Sequence, residues 1–89
     1  MFVVTSTYLV SREERESLLP AHAEWLKRHH ETGVFISSGS NVGRTGGAIL
    51  VQGVDRMALE TILANSPFSL ACAARYDIVE MGSPSDSQE

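Results

Sequence analysis

The chain of 89 residues contains only one cysteine, Cys72, which stands between two alanines. A single cysteine excludes an internal disulfide, a CxxC redox motif and a cysteine pair for a metal ion. We therefore predict that Cys72 is a small buried apolar residue, the usual state of an unpaired cysteine. Without covalent cross-links, a domain of this size hides only about 64 % of the surface of its unfolded chain. The stability of such a small domain is therefore low, which favours a core that is completed by a second subunit.

Long hydrophobic runs are also absent from the sequence. No apolar stretch approaches the roughly 18 residues of a membrane helix, and the run Met1–Val10 lacks the basic region of a signal peptide. Basic residues number 7 against 11 acidic ones, for a net charge of −4. They are scattered along the chain, with Lys27-Arg28 as the only adjacent pair, which argues against a nucleic-acid partner. We predict a cytoplasmic protein with neither a membrane nor a nucleic-acid partner.

What the chain does contain is the composition of one ordinary globular domain, with 43 % hydrophobic and 20 % charged residues. Residues 1–81 are predicted to form this domain and residues 82–89 a flexible polar tail. Two of the acidic residues, Asp86 and Glu89, belong to the tail. Subtracting these two charges from −4 leaves a folded part of only −2.

Strand-like and helix-like segments alternate along residues 1–81. Strands are predicted over residues 2–10, 34–40, 48–52 and 71–81, with a glycine-rich hairpin over 41–47 joining the middle two. The order β-α-β-β-α-β predicts an α+β, ferredoxin-like fold, in which two helices cover one face of a four-stranded antiparallel sheet. The other face would carry Val3, Leu9, Val79 and Met81. Such a half-apolar face favours a homodimer packed sheet to sheet, a dimeric α/β-barrel-like assembly.

Capping residues set the helix boundaries. Ser11 stands three residues before Glu14, the spacing of a capping box, so a helical segment begins there. Because Pro20 lacks an N–H, this segment is either a short turn followed by a helix that opens near Leu19, or a single kinked helix. We predict the first, with the main helix ending at Thr32, before Gly33.

Asp55 is the predicted N-cap of the second helix, which ends near Asn65 and is followed by an irregular link. The residues of this helix predicted to face the core are Met57, Leu59, Ile62 and Leu63.

Two histidines of the first helix fall on its apolar stripe. At about 100° per residue, His22 and His29 lie on the same side as Trp25, opposite Lys27 and Glu31. A histidine in that position is either a neutral core residue bonded to a backbone carbonyl or a base in a cleft. Because burial lowers the pKa of an imidazole below about 6.5, His22 is a candidate base at neutral pH. The histidines lack the i, i+4 spacing of a metal site, and we predict no metal.

Five short motifs, in this order and spacing, resemble the YciI (YCII-related) family. They are Leu19-Pro-Ala-His-Ala-Glu-Trp-Leu26, Gly33-Val-Phe-Ile-Ser-Ser-Gly39, Gly47-Ala-Ile-Leu-Val51, Ser66-Pro67-Phe68 and Tyr76-Asp-Ile-Val-Glu80. The resemblance covers nearly the whole chain, to about Met81. It implies a ferredoxin-like domain that dimerises, and it implies an enzyme with a histidine and an aspartate as its active-site pair. Relatives of the fold carry out cofactor-independent lyase and isomerase steps on small aromatic or lactone compounds.

The family's histidine falls on His22, whereas the position of its aspartate, before Pro-Phe, is Ser66 in this chain. An aspartate would fix the histidine tautomer and stabilise the imidazolium, while a serine hydroxyl orients the ring but supplies no charge. The resemblance thus implies His22 and Ser66 as the catalytic pair, with weakened activity unless another acid substitutes. The residues considered for that substitution are Asp77, Glu80, Glu14 and Arg15, and Asp77 and Glu80 are equally explained as solvated strand residues.

Two functions follow from these observations, and neither uses a cofactor. The first is a cofactor-independent acid–base enzyme of the lyase or isomerase type, in which His22 moves a proton on a small organic molecule. Its predicted substrate-binding residues are Ser38, Ser40, Phe68 and Tyr76. The alternative is a non-catalytic dimer that binds a small molecule or serves as an interaction module, which the missing aspartate favours.

Overall fold

The computed structural model describes residues 1–82, which form four strands and three helices. The elements are β1 (Phe2–Tyr8), α1 (Arg12–Glu31), β2 (Phe35–Ser40), β3 (Gly46–Val51), α2 (Arg56–Ala64), α3 (Pro67–Leu70) and β4 (Ala74–Glu80). The predicted β-α-β-β-α-β order is confirmed, with the single turn α3 added before the last strand. Residues 83–89 of the predicted tail lie outside the described residues.

The four strands form one antiparallel sheet in the order β2-β3-β1-β4. The central strand β1 pairs with β3 on one side and with β4 on the other, so that Val4 lies opposite both Ile49 and Ile78. This topology is the ferredoxin-like fold that the order of the elements predicts.

The helix α1 runs without interruption through Pro20, so the predicted turn before Leu19 is wrong. A proline inside a helix lacks the N–H that would bond the carbonyl four residues earlier, here that of Glu16, at a typical cost of about 3 kcal/mol. Pro20 and Glu16 are both exposed, so the missing hydrogen bond lies on the solvent side of α1 and not in the core. The side chains on either side of the proline, half-buried Leu18 and buried Trp25, keep both halves of the helix against the domain.

The predicted caps of both long helices are confirmed. The Ser11 hydroxyl accepts a hydrogen bond from the backbone N–H of Glu14 at 3.3 Å, and the Asp55 carboxylate accepts one from that of Ala58 at 2.7 Å. Gly33 follows α1 with φ of 80°, a left-handed conformation that glycine adopts without strain.

The link after α2, predicted to be irregular, contains the helical turn α3. Ser66 caps this turn by accepting a hydrogen bond from the N–H of Ser69 at 3.1 Å, and Pro67 occupies its first position, where no N–H is needed. The next turn places Cys72 at φ of 54° with its side chain exposed, so the predicted burial of Cys72 is wrong. The chain reverses direction there, and Ala73 takes the buried position instead.

The core lies between the sheet and the helices, all on one face of the sheet. Its buried residues are Phe2, Val4, Trp25, Phe35, Ile49, Val51, Leu59 and Leu63. In α2 the prediction holds for Leu59, Leu63 and half-buried Ile62 but is wrong for Met57, which is 79 % exposed. Met57 lies two positions before Leu59, which is about 200° around the helix.

The opposite face of the sheet is not covered by any element within residues 1–82. Along β1, Val3 and Thr5 point to this face, and their partners on β4 are Val79 and Asp77. The Val79 side chain is 57 % exposed. The predicted half-apolar open face is therefore present.

Within residues 1–82, the helices are too short or too polar to cross a membrane.

Candidate functional site

A cavity of about 330 Å³ lies between α1 and the core face of the sheet. It begins where the strands change from apolar to polar residues, since Phe2 and Val4 of β1 are followed on the same face by Ser6 and Tyr8. The residues with polar side chains that line it are Ser6, Tyr8, His22, Ser38, Ser40 and Tyr76. Small-molecule sites have volumes of about 300 to 1,000 Å³, so the cavity is large enough for a compact ligand.

The imidazole of His22 forms part of the cavity wall and is held between two aromatic rings. It stacks on Trp25 with a centroid distance of 5.5 Å and meets Phe68 edge-on at 4.7 Å. Burial lowers the pKa of His22 from its ordinary value of 6.5, because the charged imidazolium loses its hydration there. His22 is therefore a neutral imidazole at pH 7.

The Nδ1 atom of His22 is buried and has no hydrogen-bond partner within residues 1–82. In a paired histidine, such a partner decides which ring nitrogen carries the proton. No residue of the described chain fixes the tautomer of His22 in this way. The ring is held by its aromatic neighbours and not by an acid.

Ser66 and Tyr76 form a hydrogen-bonded pair beside this ring. The Ser66 Oγ lies 3.1 Å from the Tyr76 hydroxyl, and Ser66 is fully buried next to Phe68, the ring that contacts His22. Burial raises the pKa of Tyr76 above 10.0, an effect that the hydrogen bond with Ser66 partly opposes and the neighbouring Tyr8 reinforces. The phenol is therefore protonated at neutral pH.

Ser38 and Ser40 project from β2 into the same cavity. The Ser38 hydroxyl lies 2.8 Å from Nε2 of His30, which holds it in position. The fold thus brings four of the predicted site residues to one cavity, His22, Ser38, Ser40 and Tyr76. The other two, Ser66 and Phe68, stand directly behind His22 and Tyr76.

No Asp or Glu within the described chain lines this cavity. Asp77 pairs with Arg75 at 3.3 Å on the open face of the sheet, and Glu80 is exposed opposite Phe2, at the other end of β1. Glu14 is exposed in the first turn of α1. None of these carboxylates takes the place of the missing aspartate beside His22.

Three basic residues that the sequence separates lie together at the edge of the cavity. Arg12, Arg15 and Arg44 line a second, larger cavity of about 750 Å³ that shares Tyr8, Leu19 and Ser40 with the first. These residues are scattered along the sequence, but the hairpin between β2 and β3 brings Arg44 to the first turn of α1. Arg15 and Arg44 are 29 residues apart in the sequence, so local sequence patterns do not predict their contact.

Ser6 and Tyr8 are further lining residues that sequence reasoning missed. The alternation along β1 places them on the core face after Phe2 and Val4, which is the signal that would have found them. The Ser6 hydroxyl accepts a hydrogen bond from the N–H of Gly47 at 2.9 Å and so belongs to the floor of the cavity.

Among residues 1–82, no three His, Cys, Asp or Glu side chains are arranged to hold a metal ion.

Solved structures of two other proteins share the fold. One is a 5-chloro-2-hydroxyhydroquinone dehydrochlorinase from Burkholderia phenoliruptrix in complex with 2,5-dihydroxybenzoquinone. It is 13 % identical, and the match covers 97 % of this chain and 98 % of that one with a TM-score of 0.77. The other is an antibiotic biosynthesis monooxygenase, 13 % identical, with 93 % and 100 % coverage and a TM-score of 0.59.

A search of curated proteins finds no match for this chain. A family model does match, that of the YCII-related domain, over residues 1–82. This span includes the whole sheet, the helices and every residue of the cavity. The chain belongs to the YCII-related domain family.

Proposed function

We propose that this chain is a cofactor-independent acid–base enzyme of the lyase or isomerase type, acting on a small organic molecule in the cavity beside α1. The observation that carries the proposal is the neutral imidazole of His22 on the cavity wall. An imidazole whose pKa lies below neutral pH is ready to accept a proton, and a positioned general base accelerates a reaction by about 10² to 10⁴.

In this proposal His22 takes a proton from a C–H or O–H group of the ligand. Tyr76, which is protonated, donates a hydrogen bond to the ligand oxygen that gains negative charge. The Ser66 Oγ accepts from the N–H of Ser69, so its own hydrogen can point to the Tyr76 oxygen and leave the phenolic hydrogen for the ligand. In an isomerase the imidazolium then returns its proton to another atom of the ligand. In a lyase it gives the proton to a basic leaving group or, when chloride leaves as an anion, to water.

The class of ligand is inferred from the shape of the site and from one structural neighbour. The cavity is lined by aromatic rings and hydroxyl groups, which suits a flat ring bearing oxygen substituents. The dehydrochlorinase with the same fold holds 2,5-dihydroxybenzoquinone, a compound of this kind. A phenol, quinone or lactone is therefore the ligand class that we propose.

The alternative function is a small-molecule-binding or interaction module without catalysis. The absence of a carboxylate from the cavity within residues 1–82 favours it, because His22 then has no partner to stabilise its charged form. This alternative uses the same cavity and the same ligand class.

Turnover tests the enzyme proposal. Wild-type protein is incubated with 5-chloro-2-hydroxyhydroquinone, the substrate named for the neighbour, and chloride release is measured. We expect His22→Gln to lower the rate at least about 100-fold, and His29→Gln, which replaces another half-buried histidine of α1, to leave it unchanged. Undiminished turnover by a folded His22→Gln protein would contradict the proposal. Binding of 2,5-dihydroxybenzoquinone without turnover of this or a wider panel of phenols and lactones supports the alternative.

The role of the missing aspartate is tested with Ser66→Asp and its uncharged match, Ser66→Asn. A carboxylate near the imidazole favours the charged form, so Ser66→Asp is expected to raise the pKa of His22 in an NMR titration. Ser66→Asn, which is similar in size but neutral, controls for the packing change. Equal His22 pKa values in the two variants would show that position 66 does not act on His22.

We also propose that two copies of the chain pair through the open face of the sheet. Exposed Val79 and half-buried Val3 and Leu50 form an apolar strip there that no element within residues 1–82 covers. The small size of the domain supports the same conclusion.

A further inference from the structure

A cluster of arginines stands at the edge of the His22 cavity. The larger cavity, between the first turns of α1 and the hairpin that joins β2 to β3, is lined by Arg12, Arg15 and Arg44. These are three of the 7 basic residues of a chain whose net charge is −4. Glu16 is the one acidic residue on this lining in the described chain, so its formal charge is three minus one, or +2.

Two of the three arginines have no carboxylate partner. Arg12 forms an ion pair with Glu16 at 3.0 Å, whereas Arg15 and Arg44 form no ion pair within residues 1–82. Two unpaired cations that line one cavity make it favourable for a bound anion. The cluster is thus not explained by the ion pairs of the folded chain.

The Arg15 side chain is held in place before any ligand arrives. Its Nη1 donates a hydrogen bond to the backbone carbonyl of Arg44 at 2.7 Å, and its guanidinium carbon lies 5.0 Å from the centre of the Tyr8 ring. One N–H of the five is used in this way, and the described chain offers no side-chain acceptor to the others. A fixed guanidinium loses little entropy when it binds a carboxylate.

Arg44 is held by the geometry of the hairpin. Its backbone has φ of 56°, and its N–H donates to the carbonyl of Asn41 at 3.1 Å. The Asn41 side chain accepts from the N–H of Thr45 at 3.0 Å and closes the same loop. The loop therefore fixes the position from which the Arg44 side chain extends.

The arginine cavity and the His22 cavity adjoin, since Tyr8, Leu19 and Ser40 line both. Building on the proposed function, we propose that the ligand is a small organic acid, with its ring in the His22 cavity and its carboxylate bound by Arg15 and Arg44. Guanidinium groups bind carboxylates through paired hydrogen bonds, which orients the ligand as well as holding it. In this arrangement Arg15 and Arg44 determine specificity, and His22 and Tyr76 face the ring.

A matched pair of probes tests this inference. Benzoate and benzamide have nearly the same size and shape, but only benzoate is charged at pH 7. We expect benzoate to bind about 10-fold more tightly to the wild-type protein, as a charge-assisted hydrogen bond predicts. Calorimetry or NMR titration measures both affinities at the same ionic strength.

Three variants show whether the preference comes from the arginine cluster. Arg15→Gln and Arg44→Asn each remove one charge, and asparagine tolerates the left-handed backbone of position 44. Both are expected to remove most of the preference for benzoate while leaving the affinity for benzamide unchanged. Arg75→Gln, on the open face of the sheet, is the matched control and is expected to keep the preference. Arg15→Lys retains the charge and covers the case in which Arg15→Gln does not fold.

Equal affinities for benzoate and benzamide overturn the inference, and so does the failure of both probes to bind. A preference that Arg75→Gln reduces as much as Arg15→Gln does also overturns it, because the cause is then the overall charge and not a site. These outcomes are independent of turnover. If the protein prefers benzoate but has no activity, the inference stands and the enzyme proposal is rejected. If the protein turns over neutral phenols through His22 but does not prefer benzoate, the enzyme proposal stands and the inference is rejected.

Discussion

The hydroxyl of Ser66 lies 3.1 Å from the hydroxyl of Tyr76, and the same Ser66 oxygen accepts the N–H of Ser69. One buried serine therefore caps α3 and binds the phenol that faces the cavity. A side chain with both roles ties the shape of the site to the stability of the fold.

We predict that Ser66→Ala lowers the free energy of unfolding by about 1 to 3 kcal/mol, because it leaves a buried N–H and a phenol without their partner. Since the hydrogen bond from Ser66 lowers the pKa of Tyr76, the same variant is expected to raise that pKa further. Urea denaturation measures the first effect and ultraviolet titration the second. Tyr76→Phe is the control for assigning the phenol signal, and a Tyr76 pKa that Ser66→Ala leaves unmoved would refute the pairing.

The histidines of α1 make stability depend on pH. Burial lowers the pKa of His22 and, together with the charge of Arg28, that of His29, so the folded chain binds fewer protons than the unfolded chain just below pH 6.5. The contribution of these two histidines to the free energy of unfolding is therefore fully present above pH 6.5 and is lost as the pH falls from 6.5 to the lowered pKa values of the folded state. Denaturation curves between pH 5 and 8 measure this slope.

Two single variants divide the pH dependence between these residues. His22→Gln and His29→Gln are each expected to flatten part of the slope, because each removes one group with a lowered pKa. Slopes that equal that of the wild type in both variants would show that other groups cause the loss of stability.

Pro20 offers a test of the helix geometry. Pro20→Ala restores an N–H four residues after Glu16 and removes no buried contact, since Pro20 is exposed. A proline inside a helix costs about 3 kcal/mol, while its restriction of the unfolded chain returns only about 1 kcal/mol, so we expect a more stable protein. Thermal unfolding followed by circular dichroism measures the change. A lower melting temperature would mean that the proline shapes α1 over the cavity in a way that alanine does not.

Two glycines of the β2–β3 hairpin differ in the space around them. A Cβ atom at Gly46 would collide with the backbone carbonyl of Ser6, whereas one at Gly43 would meet nothing within 4 Å. Gly46→Ala must therefore push β1 and β3 apart, at an expected cost of about 1 to 3 kcal/mol. Gly43→Ala is the matched control, and denaturant titration of the two variants should separate them. Similar midpoints for both would contradict the close approach of the strands.

The proposed dimer is tested by a charge on the open face. Val79→Lys places an ammonium group in the apolar strip, and we expect it to shift the protein from dimer to monomer in sedimentation velocity. Met57→Lys, at a position that is also exposed but lies on α2, is expected to stay dimeric. A wild-type protein that sediments as a monomer would refute the proposed pairing.

The sequence predicts the order of the elements well, because each boundary depends on neighbouring residues. Ser11, Gly33 and Asp55 are caps whose effect is local, and all three stand where expected. Pro20 and Cys72 mislead because packing decides their state. Burial of residues on both sides of Pro20 keeps the helix intact, and a turn between α3 and β4 exposes Cys72.

The sequence predicts residues that line the cavity but not how they are arranged in space. Phe35 and Ser38 are three positions apart, so regular alternation would place them on opposite faces of β2. A bulge between Phe35 and Ser37 puts both on the core face, opposite Val51 and Ile49. The sequence of β2 does not predict this bulge. Without the bulge, Ser38 would not reach the cavity. The meeting of Arg15 and Arg44 likewise depends on the register of the hairpin.

The pairing of β1 with β4 also brings Met1 and Met81 together, where the N–H of Met81 donates to the carbonyl of Met1 at 2.7 Å. Met1 and Met81 thus lie where β1 begins and β4 ends, while Tyr8 lies at the other end of β1, about 20 Å away at the usual rise along a strand. A fluorophore or an attachment to a sensor surface at Met1 will therefore leave the cavity open. Ligand screens are therefore practical on protein that is immobilised through Met1.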